Sequence, residues 1–155
     1  MYYCKHDVSF KEFMMHDYIY NLSLSSGGIV NVPKIINYDV DAQIMTMENI
    51  PHMCVADFYG ESASAIDEDL FARIRAIIRF LYSHHIIYPD ITGYNFIEWK
   101  DKLWIIDFEH TDFSKVVKNC LSEDLTENLT ENLTSDFVKD FVENDDYNEW
   151  NPDFR

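Results

Sequence analysis

The chain has 155 residues, 47% hydrophobic and 15% aromatic, a composition suited to one globular domain with a sizeable core. Its formal net charge is −16: residues 1–106 carry 14 acidic against 8 basic residues, and residues 107–155 carry 14 against 4. Such a field repels nucleic acid and anionic membranes, so neither is an expected partner.

No apolar run approaches the roughly 20 residues of a membrane span, and no secretory leader is visible. Three widely spaced cysteines, Cys4, Cys54 and Cys120, suit a reducing compartment better than a disulfide framework, and the expected location is the cytoplasm. Residues 1–6 predict one short strand carrying Lys5. Val8, Phe13, Met14, Tyr18 and Leu22, with Ser9 as N-cap, predict an amphipathic helix to about Leu24, with Glu12 in its first turn. Ser26-Gly27-Gly28 ends it. Two short β-rich runs follow, Ile35–Tyr38 and Gln43–Met47, joined by an acidic turn, and then Glu48-Asn49-Ile50 leads to Pro51.

A short helix is expected over Val55–Tyr59 and a loop over Gly60–Ser64. Asp67-Glu68-Asp69 places negative charge at the start of the strongest helix in the chain. Leu70, Phe71, Ile74, Ile77, Ile78 and Leu81 recur there at helical spacing, leaving Arg73, Arg75 and Arg79 to solvent. His84-His85 closes it, as the helix dipole favours. Together with Asp90, Asp107 and His110 these histidines raise the idea of a nitrogen-liganded metal site. Adjacent histidines, however, point to different helix faces, and no HxxxH spacing is present.

The chemistry concentrates between His84 and His110. Asn95–Trp99 and Leu103–Asp107 are β-rich runs separated by Lys100-Asp101-Lys102, the pattern of a hairpin. A turn centred near Lys100 and Asp101 sets Asn95 opposite Ile106 and Asp107 opposite Tyr94. Asn95 and Asp107 then meet at the open end, where the loop bearing Asp90 returns. An Asp carboxylate beside an Asn carbonyl is a hard-oxygen pair suited to Mg²⁺, which takes few protein ligands and completes its shell with phosphates and water. A further Asp nearby can accept a proton from an attacking hydroxyl. The other reading is a structural hairpin whose Asp and Asn only form turns.

Asp90-x4-Asn95 followed by Ile105-Ile106-Asp107-Phe108-Glu109 resembles the catalytic loop and Mg²⁺-binding segment of the protein-kinase-like superfamily. The resemblance implies Asp90 as catalytic base, Asn95 and Asp107 as Mg²⁺ ligands, Phe108 as a packing residue and ATP as cosubstrate. It makes the first helix an αC equivalent, with Lys5 and Glu12 as the pair that positions phosphates, although a solvated Lys and a Glu at a helix N-terminus are the other reading. Met47 becomes a gatekeeper and Glu48-Asn49-Ile50 a hinge whose backbone holds the adenine; a hairpin that only completes a sheet is the alternative. The helix before His84 matches αE. Departures are clear: Tyr88 and Pro89 replace His and Arg before the catalytic Asp, and Glu109 replaces the Gly after Phe108. Asp-Phe-Glu is similar to choline-kinase-like enzymes. Asp-Ile-Thr, with Thr92 two past Asp90, is similar to the small atypical kinase of the tRNA-modifying KEOPS complex.

Beyond His110 that signal fades, with no Ala-Pro-Glu anchor. Leu121, Leu125, Leu129, Leu133, Phe137 and Phe141 recur every four residues around a Leu-Thr-Glu-Asn repeat near 121–134. A strict period of four drifts around a helix, so it makes no coiled-coil seam. A helix is expected over 135–144, and Trp150 and Phe154 are aromatic anchors. Asn128-Leu-Thr and Asn132-Leu-Thr match glycosylation sequons only through the repeat. The expected fold class is α+β and protein-kinase-like, in a single domain over 1–155. Residues 1–50 form a remnant N-lobe sheet with the αC-like helix and hinge, and 51–155 a truncated, mostly helical C-lobe. The chain resembles short kinase-like proteins of large DNA viruses, which implies the host cytoplasm. The expected function is ATP- and Mg²⁺-dependent phosphoryl transfer to a hydroxyl, of protein Ser/Thr or of a small molecule. The alternative is a silent pseudokinase that acts as a binding module or decoy for a host kinase or its substrate.

Overall fold

In the computed structural model, which describes residues 1–121 and 138–143, the first three strands form one antiparallel sheet. They are β1 (Tyr2–Lys5), β2 (Ile35–Asp39) and β3 (Ile44–Glu48), with β3 in the centre. Lys5 pairs with Met45 and Tyr3 with Met47. The acidic β2–β3 turn closes on Asp39, whose Oδ1 accepts from the backbone amides of Asp41 (3.1 Å) and Ala42 (2.9 Å).

Between β1 and β2 runs helix α1 (Phe10–Ser23), and Ser9 Oγ accepts from the Glu12 amide at 3.1 Å as an N-cap. The face it buries differs from the expected stripe. Glu12, Met15, His16, Ile19 and Ser23 lie inside, whereas Met14 is 50% and Tyr18 47% exposed. Three of these five buried side chains are polar, so hydrophobic periodicity pointed to the other face; Glu12 turns inward to its ion pair with Lys5, and His16 to its hydrogen bond with Pro33 O. After α1 the chain reverses through Gly27 (φ 66°) and Gly28 (φ 89°), a left-handed conformation that glycine adopts without strain. Asn31 then ties this connection to the later hairpin: its Nδ2 donates to Leu103 O (3.0 Å), and its carbonyl accepts from Ile105 N (3.0 Å).

Helix α2 (Val55–Tyr59) and a 3₁₀ turn at Ala63–Ala65 precede α3 (Glu68–Ser83), which Asp67 caps through the Leu70 amide at 2.7 Å. The expected apolar stripe of α3 is buried: Leu70, Phe71, Ile74, Ile77, Ile78 and Leu81 are all at most 4% exposed. Arg75 corrects the expectation of a solvent-facing arginine. It is buried, its guanidinium 5.0 Å from the Phe71 ring centroid and 5.2 Å from that of Phe141. Helical residues 138–143 press Val138 and Phe141 into the same core, where the Phe141 ring meets that of Phe71 (5.7 Å between centroids) beside Arg75. This is the described part of the helix expected over 135–144. The Leu-Thr-Glu-Asn repeat beyond Leu121 and the aromatic anchors Trp150 and Phe154 lie outside the described residues.

Strand β4 (Ile86–Ile87) pairs antiparallel with β7 (Asp112–Phe113), a two-rung ladder too short to leave a sequence pattern. Strands β5 (Phe96–Trp99) and β6 (Lys102–Ile105) form the expected hairpin. Lys100 (φ 51°) and Asp101 (φ 61°) both take the left-handed conformation that a two-residue hairpin turn requires. A helix, α4 (Lys115–Leu121), follows β7.

Candidate active site

Lys5, Glu12 and Asp107 meet at the edge of the three-stranded sheet. Lys5 Nζ lies 2.6 Å from Glu12 Oε1 and 2.9 Å from Asp107 Oδ1. Lys5 and Glu12 are only seven residues apart, and residues 6–9 are the means by which they meet. Val8 N donates to Gln43 O (2.9 Å) and Tyr38 Oη donates to Val8 O (2.8 Å). These bonds fold the connector back so that the first turn of α1 faces the end of β1. Burial alone would lower the Lys5 pKa, but the Glu12 and Asp107 carboxylates outweigh it and hold the ammonium above its ordinary value. Glu12, at 2% exposure against 24% for Lys5, is the more desolvated partner. Burial pushes its carboxyl up, and Lys5 reverses only part of that.

Asp107 has φ 64°, a left-handed conformation that Asp tolerates better than most residues. Next to it Phe108 is fully buried, edge-on to His16 (5.0 Å between centroids) and to Tyr88 (5.8 Å). His16 is in turn fixed to Pro33 O at 2.7 Å, and burial lowers its pKa. A packed stack from α1 to the 88–95 loop thus sets the position of Asp107.

The loop is tied to the Asp107 segment by backbone. Ile106 N donates to Asn95 O (3.0 Å), the pairing expected of the hairpin's open end, and Tyr88 Oη donates to Ile106 O (2.7 Å). Asn95 Nδ2 donates to the Asp90 carbonyl at 3.0 Å, which leaves Asn95 Oδ1 as an acceptor. Thr92 closes the intervening 3₁₀ turn through its carbonyl, which accepts from Asn95 N (3.1 Å). The Asp90 carboxylate is only 8% exposed and sits 2.7 Å from His110 Nδ1. Burial pushes the Asp90 carboxyl up, with His110 opposing, and the same hydrogen bond raises the His110 pKa.

A cleft of about 310 Å³ opens beside these groups, with Lys5 and Asp107 in its wall. Met47, Glu48, Asn49 and Ile50 line one part of it, and Ile97 and Ile106 contribute apolar surface from the hairpin. The cleft wall fits a nucleotide with a divalent cation in offering an apolar slot for a base, the Lys5 ammonium for phosphate and a hard carboxylate oxygen from Asp107; Asn95 Oδ1, on the adjoining loop, would be the second hard oxygen. Among the described residues no group of three His, Cys, Asp or Glu could cage a metal alone. A cation here would therefore be shared with phosphate oxygens, as Mg²⁺ usually is.

Five of the eight residues singled out in the sequence line this cleft. They are Lys5, Met47, Glu48, Ile50 and Asp107; Glu12 adjoins the cleft through Lys5, while Asn95 and Asp90 stand outside its lining, Asn95 joined to Ile106 by a backbone bond and to the Asp90 carbonyl by its side-chain amide. Sequence reasoning missed the apolar contributions of Ile97 and Ile106, which hairpin alternation alone could have flagged. It also set His110 aside once the nitrogen-liganded metal site failed on spacing. The contact with Asp90 spans 20 residues and leaves no periodic trace.

A lysine held by the first turn of a helix, an apolar cleft beside it, and an Asp–Asn loop stitched to a second Asp are an arrangement similar to that of protein-kinase-like proteins. The RIO domain pattern matches residues 9–149, and the chain belongs to this family of atypical, ATP-binding, kinase-like phosphotransferases. The match takes in Glu12, Asp90, Asn95 and Asp107 and starts after Lys5. No curated protein matches the chain.

Proposed function

We propose that this chain is an ATP- and Mg²⁺-dependent phosphotransferase that moves the γ-phosphate of ATP to a hydroxyl acceptor, a Ser or Thr of a protein. The observation that carries the reading is the Lys5 ammonium held between Glu12 and Asp107, 2.6 and 2.9 Å away, in the wall of an apolar cleft. A lysine so placed binds phosphate as a point charge, and the buried Glu12 fixes where that charge sits. In this reading residues 1–50 are a reduced N-lobe and 51–155 a reduced C-lobe of one domain.

Met47 bounds the inner end of the base slot, and the backbone of Glu48 and Ile50 offers the adenine its hydrogen bonds. Asn95 Oδ1 and Asp107 would hold Mg²⁺, which when bound neutralises phosphate charge. Asp90 orients the acceptor hydroxyl and takes its proton. In a viral setting the enzyme would work in host cytoplasm, with a host protein as acceptor.

A second reading, a silent binding module or decoy, draws on the departures from the kinase pattern, Tyr88 and Pro89 before Asp90 and Glu109 after Phe108. The two readings separate on turnover. Calorimetric titration of ATP with Mg²⁺ and with EDTA tests the shared site. Binding should require the metal, and Asp107→Ala should abolish the metal-dependent part while circular dichroism stays native. Equal ATP affinity in Mg²⁺ and EDTA for the unmutated chain would sink the site. MgATP binding without ATP consumption on any acceptor would leave the binding module.

A further inference from the structure

We propose that His110 is a positioning residue that works through Asp90, holding the base carboxylate in its productive orientation. The proposal rests on the phosphotransferase reading above and adds to it a residue outside the motif by which that reading was reached.

The Asp90 carboxylate is nearly buried, and among the described residues its hydrogen-bond partner is His110 Nδ1 at 2.7 Å. A carboxylate only accepts, so Nδ1 is the donor and the imidazole tautomer or charge state is fixed accordingly. The neighbouring residues that could have served instead make no hydrogen bond to the carboxylate. Pro89, just before Asp90, has no donor at all. Thr92, two residues on, is 1% exposed; its Oγ1 accepts from the Tyr94 amide (3.5 Å) and makes no hydrogen bond to the Asp90 carboxylate. Asn95 spends its amide nitrogen on the Asp90 carbonyl, which fixes the backbone and not the carboxylate. Rotation of the Asp90 side chain is therefore set by His110.

His110 itself is rigidly carried. Thr111 N donates to Phe108 O (3.1 Å), closing a turn around it. Phe108 and Thr111 on either side are 0% and 1% exposed, and the chain goes directly into the β7–β4 ladder. The same short arm bears Asp107. The base and the proposed metal-binding carboxylate are thus located by one element, so their spacing is fixed together. In the transfer the acceptor O–H bond breaks, its oxygen bonds to the γ-phosphorus, the bond from that phosphorus to ADP breaks, and the proton passes to Asp90. With His110 on Oδ2, Oδ1 is the oxygen left to receive it.

The test uses the full chain, His110→Ala, Asp90→Asn and the double variant. Loss of alignment of this kind is worth roughly 10²-fold. His110→Ala should lower kcat by about that factor with MgATP affinity unchanged, since His110 is not among the residues lining the cleft. Because the ring is 60% exposed, added imidazole should enter the vacated space and restore part of kcat. The double variant should be no slower than Asp90→Asn alone, as expected of residues that act as one unit. Nitrogen NMR of the unmutated chain should show a hydrogen-bonded His110 Nδ1–H that weakens in Asp90→Asn. Unchanged kcat in His110→Ala, a loss that imidazole does not restore, or multiplicative losses in the double variant would each overturn the positioning role. Absence of turnover in the unmutated chain would instead overturn the phosphotransferase reading and this role with it.

Discussion

Asp90→Asn keeps the shape of the side chain and an acceptor oxygen for His110 while removing the charge that takes up a proton. General-base help of this kind is worth roughly 10²–10⁴-fold, so the phosphoryl-transfer rate should fall within that range. MgATP affinity should hold, because Lys5, Asn95 and Asp107 are untouched. Parallel measurement of acceptor phosphorylation and nucleotide affinity checks both halves; unchanged turnover would remove Asp90 from the base role. At this scale the sequence was most legible where chemistry is local. Asp90 and Asn95 lie five residues apart on one loop, and the backbone pairing of Asn95 with Ile106 follows from counting outward from the hairpin turn. Lys5 and Glu12 were legible as a pair only through the resemblance to kinases, and nothing in their local pattern pointed to it. Their 2.6 Å contact depends on the Val8–Gln43 and Tyr38–Val8 bonds, which no local pattern encodes.

Elements were legible in proportion to how one-sided they are. Helix α3 has one apolar stripe and buries it. Helix α1 buries a face that is largely polar, and its orientation is decided by tertiary contacts, those of Glu12 with Lys5 and of His16 with Pro33. Arg75 shows the same limit, because an arginine on a helical stripe reads as solvated until Phe141 arrives from far along the chain. The segment from Asp107 to Ser114 carries its own prediction. In ordinary kinases an arginine before the catalytic Asp senses phosphate on this segment. Here that position is Pro89, Thr111 is 1% exposed, and the Ser114 hydroxyl is buried. Phosphorylation at Thr111 or Ser114 should therefore not switch the activity. Phosphatase treatment of the purified chain should leave the rate unchanged; a large drop would show that the segment opens to a modifying kinase.

Charge is the property that belongs to the whole molecule, and it acts against the proposed ligand. The chain carries −16, and among the charged residues of the cleft wall Lys5 stands against Glu48, Asp57 and Asp107. Two effects compete when MgATP, itself anionic, approaches. The attraction of Lys5 acts at contact distance, inside the screening length of any ordinary buffer. The repulsion is summed over charges spread through the chain and acts over tens of ångströms. Screening shortens from about 30 Å at 0.01 M salt to about 10 Å at 0.1 M, so added salt removes most of the repulsion and little of the contact attraction. Affinity for preformed MgATP, with Mg²⁺ in constant excess, should therefore rise as monovalent salt increases from about 10 to 100 mM. That trend is opposite to the one expected of a cation-lined phosphate site. Titrations across that range check it, with Lys5→Met as the control for the local term. If affinity falls steadily with salt in the unmutated chain, the nucleotide is held by more positive charge than Lys5 supplies, and the placing of its phosphates at the Lys5–Asp107 wall of the cleft is wrong.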